Sequence, residues 1–552
     1  MTGELSRRGF LIATGFTGAG LVVAGCGSGS SASPKKSPIS DLAAWTDPNT
    51  GVTSATPRRG GTLTIGVESE QNGWNPPLAE WDQTGNLIAQ AMYDPLVGVG
   101  TDGSSQPYLA KELIHNEDYT QWTVVARPGV AFHDGSPCDA AAIVANIQAY
   151  LASPLTGAAL ANVKDVRLTG PDRAMVTMRS PWVPFPAYFT NLVGWIASPA
   201  YLKSKKMSNA VGTGPFIFKE WVPNDHLTLV RNPSYWRKDM PYLDSLVFKV
   251  IPDAQARNNA LLSGAVDLIQ SSDALTMRTF RNRSGYTGIT DSAVSASEPE
   301  IECYLINCAK KPLDDLRLRQ AMAHAIDQTK INQVILGGLG TVADGPFPAG
   351  SPYHSDTGYP KYDLATARQL VQQVADEKGP VKLSITVTTA ASDRQRAQLV
   401  QQMFIAAGIQ TDLTVVANAD LVSTVVVGKY DVAMWRNYSA PDPDMNFLWW
   451  SKTTVGPIGG VALNFSRLGD DALEAALEKG RRSPDPADRH QAYQTVAARL
   501  GGLVPQLWNN QTLWSFVGRA NVQNFNFNDM PDKQRMMPMT AGKLFLTQAW
   551  LK

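Results

Sequence analysis

The side chains with the clearest chemical potential stand in one short segment, between positions 434 and 444. Arg436 carries a planar guanidinium that can hold a carboxylate through two parallel hydrogen bonds, and Trp435 beside it offers a broad apolar wall. An ion pair of Arg436 with Asp442 or Asp444 is the structural alternative. Alternate residues of an extended segment point to opposite faces, which argues against these two aspartates acting as a catalytic pair. The residue types of this segment could therefore hold an anionic group, and its two aspartates do not form a catalytic pair.

No other part of the sequence supplies a catalytic set. The spacings Gly-x-Ser-x-Gly, His-Glu-x-x-His and Cys-x-x-Cys, which mark hydrolases, metalloproteases and redox or zinc sites, do not occur. The six histidines are scattered, and no Met or Cys cluster offers soft metal ligands. We therefore expect a protein that is not an enzyme and that carries no cofactor or directly ligated metal. A secreted hydrolase is kept only as the alternative from another class.

The periodicity of apolar residues predicts the secondary-structure elements that position Arg436. Residues 430–433 form an apolar run that predicts a strand, so the segment after it should emerge at a strand end, where ligand-binding loops are common. Alternating runs predict further strands at 63–67, 121–125, 227–230, 246–250, 303–308 and 381–387. Capping residues and apolar faces predict helices at 315–336, 363–375 and 468–480. Mixed strands and helices indicate an α/β or α+β body.

The first 26 residues carry chemistry of another kind, that of export and lipid attachment. A charged start with Arg7 and Arg8, a short apolar run and a small-residue end form a secretory signal. The paired arginines resemble a twin-arginine signal, and Val-Ala-Gly before Cys26 resembles a bacterial lipobox. A membrane span would need roughly 20 apolar residues, more than this run provides. We predict a signal peptide over residues 1–25, a lipid on Cys26 and a flexible linker over 26–59.

Length, charge and cysteine content limit the remaining options. The chain has 552 residues, beyond the roughly 250–300 at which single cores stop growing, so two or three lobes are expected. Its 49 basic and 49 acidic residues leave a formal charge of zero, and no basic tract favours nucleic acid. Cys303 and Cys308 lie about 16 Å apart if one strand holds both, too far for a disulfide. A bridge from Cys138 to either stays open beside three free thiols.

A series of short, distinctive sequence blocks follows one after another along the body of the chain. They include Gly-Gly-Thr-Leu at 60–63, Ser-Glu at 69–70, Trp-Asn-Pro at 74–76, Met-Tyr-Asp-Pro-Leu-Val at 92–97, Arg-Pro-Gly-Val-Ala-Phe-His-Asp-Gly at 127–135, Gly-Thr-Gly-Pro-Phe at 212–216 and Arg-Asn-Pro-Ser-Tyr-Trp at 231–236. By this ordered set the chain, from residue 60 to its C terminus, resembles the family 5 extracytoplasmic solute-binding proteins. These are the receptors of ABC importers for oligopeptides, dipeptides and nickel.

The resemblance implies an α/β, two-lobed, periplasmic-binding-protein-like fold of the class II type, with hinge strands and an extra small domain. Lobe I would comprise residues 60–85, 187–300 and 508–552, the small domain 86–186, and lobe II 301–507. A ligand that contacts both lobes binds the closed state better than the open one, and this difference drives closure. Closing a mostly open receptor takes about 5.5 kcal/mol, which the roughly 8 kcal/mol of micromolar binding can supply.

The resemblance also maps the ligand-contacting segments onto residues 68–74 and 434–442. The candidate ligand-binding residues are Glu70, Trp74, Trp435, Arg436, Asn437, Tyr438 and Asp442. Peptide-binding members usually carry, two or three residues after this Trp, an Asp that grips the amino-terminal ammonium. This chain has Asn437 and Tyr438 there. Either Asp442 or Glu70 takes the ammonium, or the ligand has no free amino terminus at this place.

We therefore expect a substrate-binding lipoprotein that captures short peptides and delivers them to an ABC permease and ATPase complex. It would be a monomer, lipid-anchored on the extracytoplasmic side of the cell membrane, without a nucleic-acid partner. The same receptor role for a nickel chelate, haem or a glycan is the first alternative. A regulatory or cell-wall lipoprotein that has lost its transporter is another.

Overall fold

The protein is described by a computed structural model, in which residues 45, 47, 49–154, 156–191, 193–291, 300–437, 440 and 442–552 are placed. The predicted signal peptide, Cys26 and Tyr438 lie outside the described residues. The same holds for part of the predicted linker, up to residue 44.

The strands are numbered along the chain. They are β1 (Thr62–Val67), β2 (Val97–Val99), β3 (Ser105–Pro107), β4 (Ala110–His115), β5 (Gln121–Ala126), β6 (Val163–Gly170), β7 (Arg173–Met178), β8 (Phe216–Val222), β9 (His226–Arg231), β10 (Ser245–Val250), β11 (Leu268–Ser271), β12 (Tyr286–Thr290), β13 (Ile301–Ile306), β14 (Lys382–Thr388), β15 (Gln410–Val416), β16 (Val432–Asn437), β17 (Gln506–Gln511), β18 (Ser515–Arg519), β19 (Val522–Gln523) and β20 (Trp550–Leu551).

The α-helices follow the same convention. They are α1 (Gln83–Met92), α2 (Ala140–Leu151), α3 (Pro199–Ser204), α4 (Ala254–Ser263), α5 (Ala274–Phe280), α6 (Leu316–Ala325), α7 (Gln328–Ile335), α8 (Leu364–Lys378), α9 (Ala391–Ala406), α10 (Asn418–Val426), α11 (Phe447–Trp450), α12 (Asp471–Arg482) and α13 (Pro486–Leu503). Short 3₁₀ helices occupy Gly157–Leu160, Phe185–Thr190, Pro443–Asn446 and Lys452–Thr454.

Strand β1 lies at the centre of a seven-stranded sheet with the order β12-β18-β11-β1-β10-β9-β8. Its residues Leu63, Ile65 and Val67 are fully buried, as their alternation with polar and small residues predicts. It runs parallel to both of its neighbours, β10 and β11. The carboxyl ends of these three strands therefore meet at one edge of the sheet.

A second sheet of five strands has the order β15-β14-β16-β13-β17. Strand β13 is buried along its whole length and pairs antiparallel with β16 on one side and β17 on the other. A third, four-stranded sheet, β4-β5-β7-β6, is antiparallel throughout. Separate apolar clusters accompany the three sheets, as a chain of this length requires.

In chain order, β12 belongs to the seven-stranded sheet and β13 to the five-stranded sheet, and the chain returns from β17 to β18 through residues 512–514. The limits given above for the two lobes and the small domain stay a prediction. Within the placed residues, no helix combines the length and the apolar character that a membrane crossing needs.

Most predicted elements are confirmed. Strands β1, β5, β9, β10 and β14 match five of the predicted runs, and α8 and α12 match two of the predicted helices. The strand predicted at 303–308 ends earlier, at Ile306, and the apolar run at 430–433 leads into β16, which continues to Asn437. Cys138, Cys303 and Cys308 are buried free thiols, so the Cys138 bridge that the sequence left open does not form among them.

The single helix predicted over 315–336 is wrong, because the chain forms two helices there, α6 and α7. Asp315 caps the first as expected, by accepting from the backbone N–H of Arg317. Asp327 then accepts from the backbone N–H of Lys330 at 2.9 Å. An aspartate that satisfies the free N–H groups of a helix start favours a new helix over continuation of the old one. Sequence reasoning missed this second cap.

Candidate functional site

Strand β16 divides the predicted ligand-binding residues between two faces of the five-stranded sheet. Trp435 pairs with Cys303 of β13, and Arg436 pairs with Glu302. Because successive side chains of a strand point to opposite faces, Trp435 and Asn437 lie on one face and Arg436 on the other. The structure therefore brings these residues together along the strand but separates their side chains into two environments.

On its face, Arg436 lies between two carboxylates. Its Nη1 is 3.8 Å from Oε2 of Glu300, and its Nη2 is 3.8 Å from Oε1 of Glu302. Its guanidinium carbon stands 5.4 Å from the ring centre of Trp514, within the range of a cation–π contact. Burial disfavours the guanidinium charge, but the fields of Glu300 and Glu302 outweigh burial and raise the pKa of Arg436. The group is a permanent cation.

Both carboxylates already have closer partners than Arg436. Glu302 is paired with the buried guanidinium of Arg396 and accepts from Nδ2 of Asn510 at 2.9 Å. Glu300 accepts from Nε1 of Trp514 at 2.8 Å. The separations of 3.8 Å to Arg436 are longer than a hydrogen bond. About a third of the Arg436 side chain, 32%, is exposed, so the cation is attracted to these acids without being saturated by them.

The same guanidinium reaches across to the seven-stranded sheet. Nη2 of Arg436 donates to Oγ of Ser272 at 3.2 Å. The backbone N–H and the hydroxyl of Ser272 donate to Glu68 at 2.7 and 2.9 Å. Glu68 also accepts from Nη2 of Arg257 at 2.7 Å, a side chain that is 1% exposed. Charged groups of both signs therefore meet where the two sheets face each other.

Glu68 and Ser272 owe their place to the parallel strands. Glu68 follows β1 directly, and Ser272 follows β11 directly. The carboxyl ends of parallel strands are where open α/β sheets bind ligands. Sequence reasoning missed Ser272, Arg257, Glu300 and Glu302, since they are distant in the chain and no local pattern joins them.

On the other face of β16, three aromatic rings border a small cavity. Trp435 meets Phe465 edge-on with ring centres 5.1 Å apart, and Trp449 lies tilted to Phe465 at the same distance. The cavity has a volume of about 10 Å³ and is also lined by Asn437 and Gln506. Among the described residues, Oε1 of Gln506 is buried without a hydrogen-bond partner. Sequence reasoning did not identify Phe465 or Gln506, because no local pattern marks either residue as part of a site.

Asp442 lies elsewhere, on the segment that leads into α11. It accepts from Nη2 of Arg489 at 2.6 Å and from the backbone N–H of Asp444 at 2.9 Å. Burial raises the pKa of Asp442, and Arg489 opposes the shift. Asp444 pairs with Arg481 at 3.0 Å. The alternative in which Arg436 pairs with Asp442 or Asp444 is therefore wrong, because the acids beside Arg436 are Glu300 and Glu302.

Glu70 and Trp74 lie on the seven-stranded sheet, against its β8–β9 hairpin. Glu70 accepts from Nε1 of Trp221 at 3.2 Å and from the backbone N–H of Asn224. Trp74 is 1% exposed and meets Trp221 edge-on at 5.9 Å. Both side chains thus have partners within this lobe, and their part in ligand binding stays a prediction.

The comparisons with known proteins agree with this architecture. Residues 105–457 match the profile of the bacterial extracellular solute-binding proteins, family 5 Middle. The nickel-binding periplasmic protein of Escherichia coli (strain K12) is 28% identical over 458 residues, which cover 77% of this chain and 84% of that protein. The probable D,D-dipeptide-binding periplasmic protein DdpA of the same strain is 25% identical over 490 residues, 85% of this chain and 92% of that one.

Among solved structures, the periplasmic binding protein DppA from Helicobacter pylori in complex with the peptide STSA superposes with a TM-score of 0.79. It is 21% identical, and the superposition covers 90% of this chain and 98% of that one. The predicted two-lobed α/β fold is thereby confirmed. The chain belongs to family 5 of the bacterial extracellular solute-binding proteins.

Family membership confirms the resemblance seen in the sequence. The relatives named above are binding proteins of the periplasm rather than enzymes. Within the residues that the structure places, no three His, Cys, Asp or Glu side chains are grouped so that they could hold a metal ion. The site offers hydrogen bonds, charges and aromatic walls, which are the means by which a receptor holds a solute.

Proposed function

We propose that the protein is the receptor of an ABC importer, and that it captures a short peptide between its two lobes and releases it chemically unchanged to a permease. One observation carries the proposal. Arg436 of the five-stranded sheet lies at the junction with the seven-stranded sheet, bonded to Ser272 and a third exposed. A ligand held there contacts both sheets, so it favours the closed arrangement of the lobes.

The chemistry of the junction suits a ligand that carries a carboxylate. Guanidinium offers five N–H donors, and its carboxylate neighbours lie beyond hydrogen-bond distance at 3.8 Å. A peptide carboxylate would occupy the remaining donors as a bidentate pair.

Native mass spectrometry of the purified protein tests this proposal. The ligand that co-purifies is released by denaturation and sequenced. Short peptides are expected, and they should be recovered unaltered after incubation with fresh protein. Recovery of a sugar, haem or a metal chelate in their place would overturn the peptide proposal, and conversion of the added peptides would overturn the non-catalytic role.

A nickel chelate is the second candidate, because a relative of 28% identity is named as a nickel-binding protein. The metal would then arrive with an organic chelator whose carboxylate binds Arg436, while Trp514 lies against the guanidinium. Elemental analysis of the same preparation distinguishes the two candidates. Nickel at one equivalent per protein would favour the chelate, and nickel at trace level together with sequenced peptides would exclude it.

We propose further that a lipid on Cys26 holds the receptor on the extracytoplasmic side of the cell membrane, where it acts as a monomer beside its permease and ATPase. The lipobox around Cys26 supports the anchor. Cys26→Ser should move the protein from the membrane fraction to the soluble fraction, and light scattering should give the mass of one chain. Membrane retention of the variant, or the mass of a dimer, would contradict the respective part of the proposal.

A further inference from the structure

Glu302 of β13 lies between two guanidinium groups and is bonded to only one of them. Its Oε2 is paired with Nη1 of Arg396 and accepts from Nδ2 of Asn510 at 2.9 Å. Its Oε1 is 3.8 Å from Nη2 of Arg436, which is beyond hydrogen-bond distance. The carboxylate is therefore held by a buried arginine and stops short of the arginine at the junction of the two sheets.

Arg396 is a buried side chain of α9, and its charge is maintained by its partner. The residue is 5% exposed. Burial disfavours the charged form, but the field of Glu302 outweighs burial and raises the pKa of Arg396. A buried ion of one sign is strongly unfavourable without its counter-ion. Arg396 and Glu302 therefore fix each other's position.

Without Arg396, the nearest cation for Glu302 is Arg436. Charge-assisted N–H···O bonds are about 2.7–2.9 Å long, so a shift of about 1 Å would bring Oε1 of Glu302 into a bond with Nη2 of Arg436. A carboxylate of the protein in that position would occupy the donors that a ligand carboxylate requires. The pairing of Glu302 with Arg396 opposes this shift.

The second acid beside Arg436 is restrained by other means. Oε1 of Glu300 accepts from Nε2 of Gln83 at 3.1 Å, and its Oε2 accepts from Nε1 of Trp514 at 2.8 Å. Both donors are neutral groups. Of the two acids, only Glu302 is thus bonded to a second cation within the part of the chain that the structure describes.

We propose that Arg396 determines the specificity of the site for carboxylates: by holding Glu302, it keeps the guanidinium of Arg436 available to the carboxylate of a ligand. The proposal deepens the proposed function, on which it rests, because it explains how an arginine with acidic neighbours can still receive an anion. Arg396 is a positioning residue, since it acts through Glu302 and needs no contact with the ligand.

The two members of the pair should change carboxylate binding in opposite directions. Sodium acetate is titrated against the emptied protein, with sodium chloride at equal ionic strength as the reference. Tryptophan fluorescence is the readout, since Trp514 lies against Arg436. Arg396→Met releases Glu302 onto Arg436, so the Kd for acetate should rise about tenfold or more, as expected for a lost hydrogen bond to a charged group. Glu302→Gln removes the competing carboxylate and should lower that Kd.

Other signs of these changes would contradict the proposal. A pair with a structural role alone would weaken acetate binding in both variants, because either substitution breaks the same buried contact. That result, an unchanged Kd in folded Arg396→Met, or a wild type that responds equally to acetate and chloride would overturn the proposal.

Further variants separate the charge of residue 396 from its packing. Arg396→Lys keeps the cation and should keep the wild-type Kd for acetate. The double variant Arg396→Met with Glu302→Gln leaves neither charge buried alone and should bind acetate at least as tightly as the wild type. A double variant as weak as Arg396→Met would overturn the proposal. If Arg396→Met does not fold, Glu302→Gln and the double variant decide, because weaker binding in either one contradicts the proposal.

A surface pair of the same residue types supplies the matched controls. Arg317 pairs with Glu377, and the two side chains are 36% and 55% exposed. Arg317→Met and Glu377→Gln should leave the Kd for acetate unchanged. Midpoints of urea unfolding verify that each variant folds.

A crystal structure of Arg396→Met measures the competition directly. The separation between Nη2 of Arg436 and Oε1 of Glu302 is 3.8 Å in the wild type. In the variant it should fall to that of a charge-assisted hydrogen bond, about 2.7–2.9 Å. An unchanged separation would overturn the proposal.

Peptide pools separate this inference from the proposed function. A tetrapeptide pool with free carboxyl termini is added to the wild type and to Arg396→Met, and retention is compared by native mass spectrometry. Retention by the wild type, reduced in Arg396→Met and recovered in the double variant, is expected. Equal retention by the wild type and Arg396→Met would overturn the inference and leave peptide binding intact. No retention by the wild type, with acetate binding still raised and lowered by the two single variants, would overturn peptide binding and leave the inference intact.

Discussion

Arg436 and Ser272 belong to different sheets, and a hydrogen bond of 3.2 Å from Nη2 to Oγ joins them. Arg436 lies in β16 of the five-stranded sheet, and Ser272 follows β11 of the seven-stranded sheet. The Ser272 hydroxyl in turn donates a hydrogen bond of 2.9 Å to Glu68. Separation of the two sheets would break the bond to Arg436, so it stabilises only the closed arrangement.

Ser272→Ala should weaken ligand binding about three- to tenfold. The variant removes the acceptor for Arg436, and a hydrogen bond contributes roughly 0.5–1.5 kcal/mol net. The backbone N–H of residue 272 still donates to Glu68, so the local turn should persist. Titration of the co-purified ligand against the emptied protein measures the effect. Ser263→Ala is the control, since that hydroxyl donates to the carbonyl of Ala260 in its own helix. Equal affinities of both variants would contradict a bond that favours closure.

Arg436→Gln should weaken binding of a carboxylate ligand by about ten- to a hundredfold. Hydrogen bonds to charged groups contribute roughly 1.5–3 kcal/mol, and a neutral amide cannot replace the guanidinium fork. Peptides with a free carboxyl terminus and the same peptides amidated are compared by calorimetry. The variant should lose its preference for the free acid. Arg394→Gln on the exposed face of α9 is the control and should keep the preference for the free acid. If Arg436→Gln also kept this preference, the ligand carboxylate would bind at another residue.

The sequence predicted the framework of this site better than its contents. Alternation of apolar residues identified β1, and Asp363 marked the start of α8, because both signals act over a few residues. The partition of Trp435 and Arg436 between two faces also follows from strand periodicity, but only once β16 is known to extend to Asn437. By contrast, the bond from Ser272 to Glu68 spans 204 positions of the chain. Only the pairing of β1 with β11 brings them together.

Asp444→Ala should destabilise the protein by about 3–5 kcal/mol. Asp444 is fully buried, pairs with Arg481, and accepts from Nε1 of Trp182 at 2.8 Å. Its removal leaves the buried Arg481 without its counter-ion and the indole N–H of Trp182 without its acceptor, and breaking a buried ion pair by removing one partner is strongly destabilising. The free energy of unfolding in urea measures the change.

An exposed aspartate provides the matched control for Asp444. Asp471 pairs with Lys452, and the two side chains are 90% and 44% exposed. Exposed pairs contribute about 0–1 kcal/mol, so Asp471→Ala should shift the unfolding curve little. Equal losses in both alanine variants would show that the buried pair of Asp444 contributes no more than a surface pair.

His133 should make the protein sensitive to acid. Its Nδ1 accepts from the backbone N–H of Gly212 at 3.3 Å, and its Nε2 donates to the carbonyl of Gly214 at 3.0 Å. Burial lowers the pKa of His133 from 6.5 to about 4. As pH falls, the unfolded chain therefore takes up this proton at a higher pH than the folded chain does. The free energy of unfolding should fall by up to about 3 kcal/mol between pH 6.5 and pH 4. His133→Gln should lose this slope in urea unfolding, whereas His115→Gln at an exposed position should keep it; a slope that survives in His133→Gln would contradict the assignment.

Asp94 bonds to Thr213, which lies between the two glycines that His133 contacts. It should give the opposite pH dependence of the free energy of unfolding. It accepts from Tyr235 at 2.9 Å, from Trp236 at 2.8 Å and from Thr213 at 3.1 Å. Burial raises the pKa of Asp94 from 3.8 to about 6, against these hydrogen bonds. Folding then favours the protonated carboxyl, whose stabilisation is complete below pH 3.8 and is lost as pH rises through 6, by up to about 3 kcal/mol. Asp94→Asn cannot ionise, so its unfolding free energy should gain on the wild type between pH 4 and 6, while the exposed Asp412→Asn should not. Parallel curves for wild type and Asp94→Asn would show that this carboxyl is already ionised at pH 4.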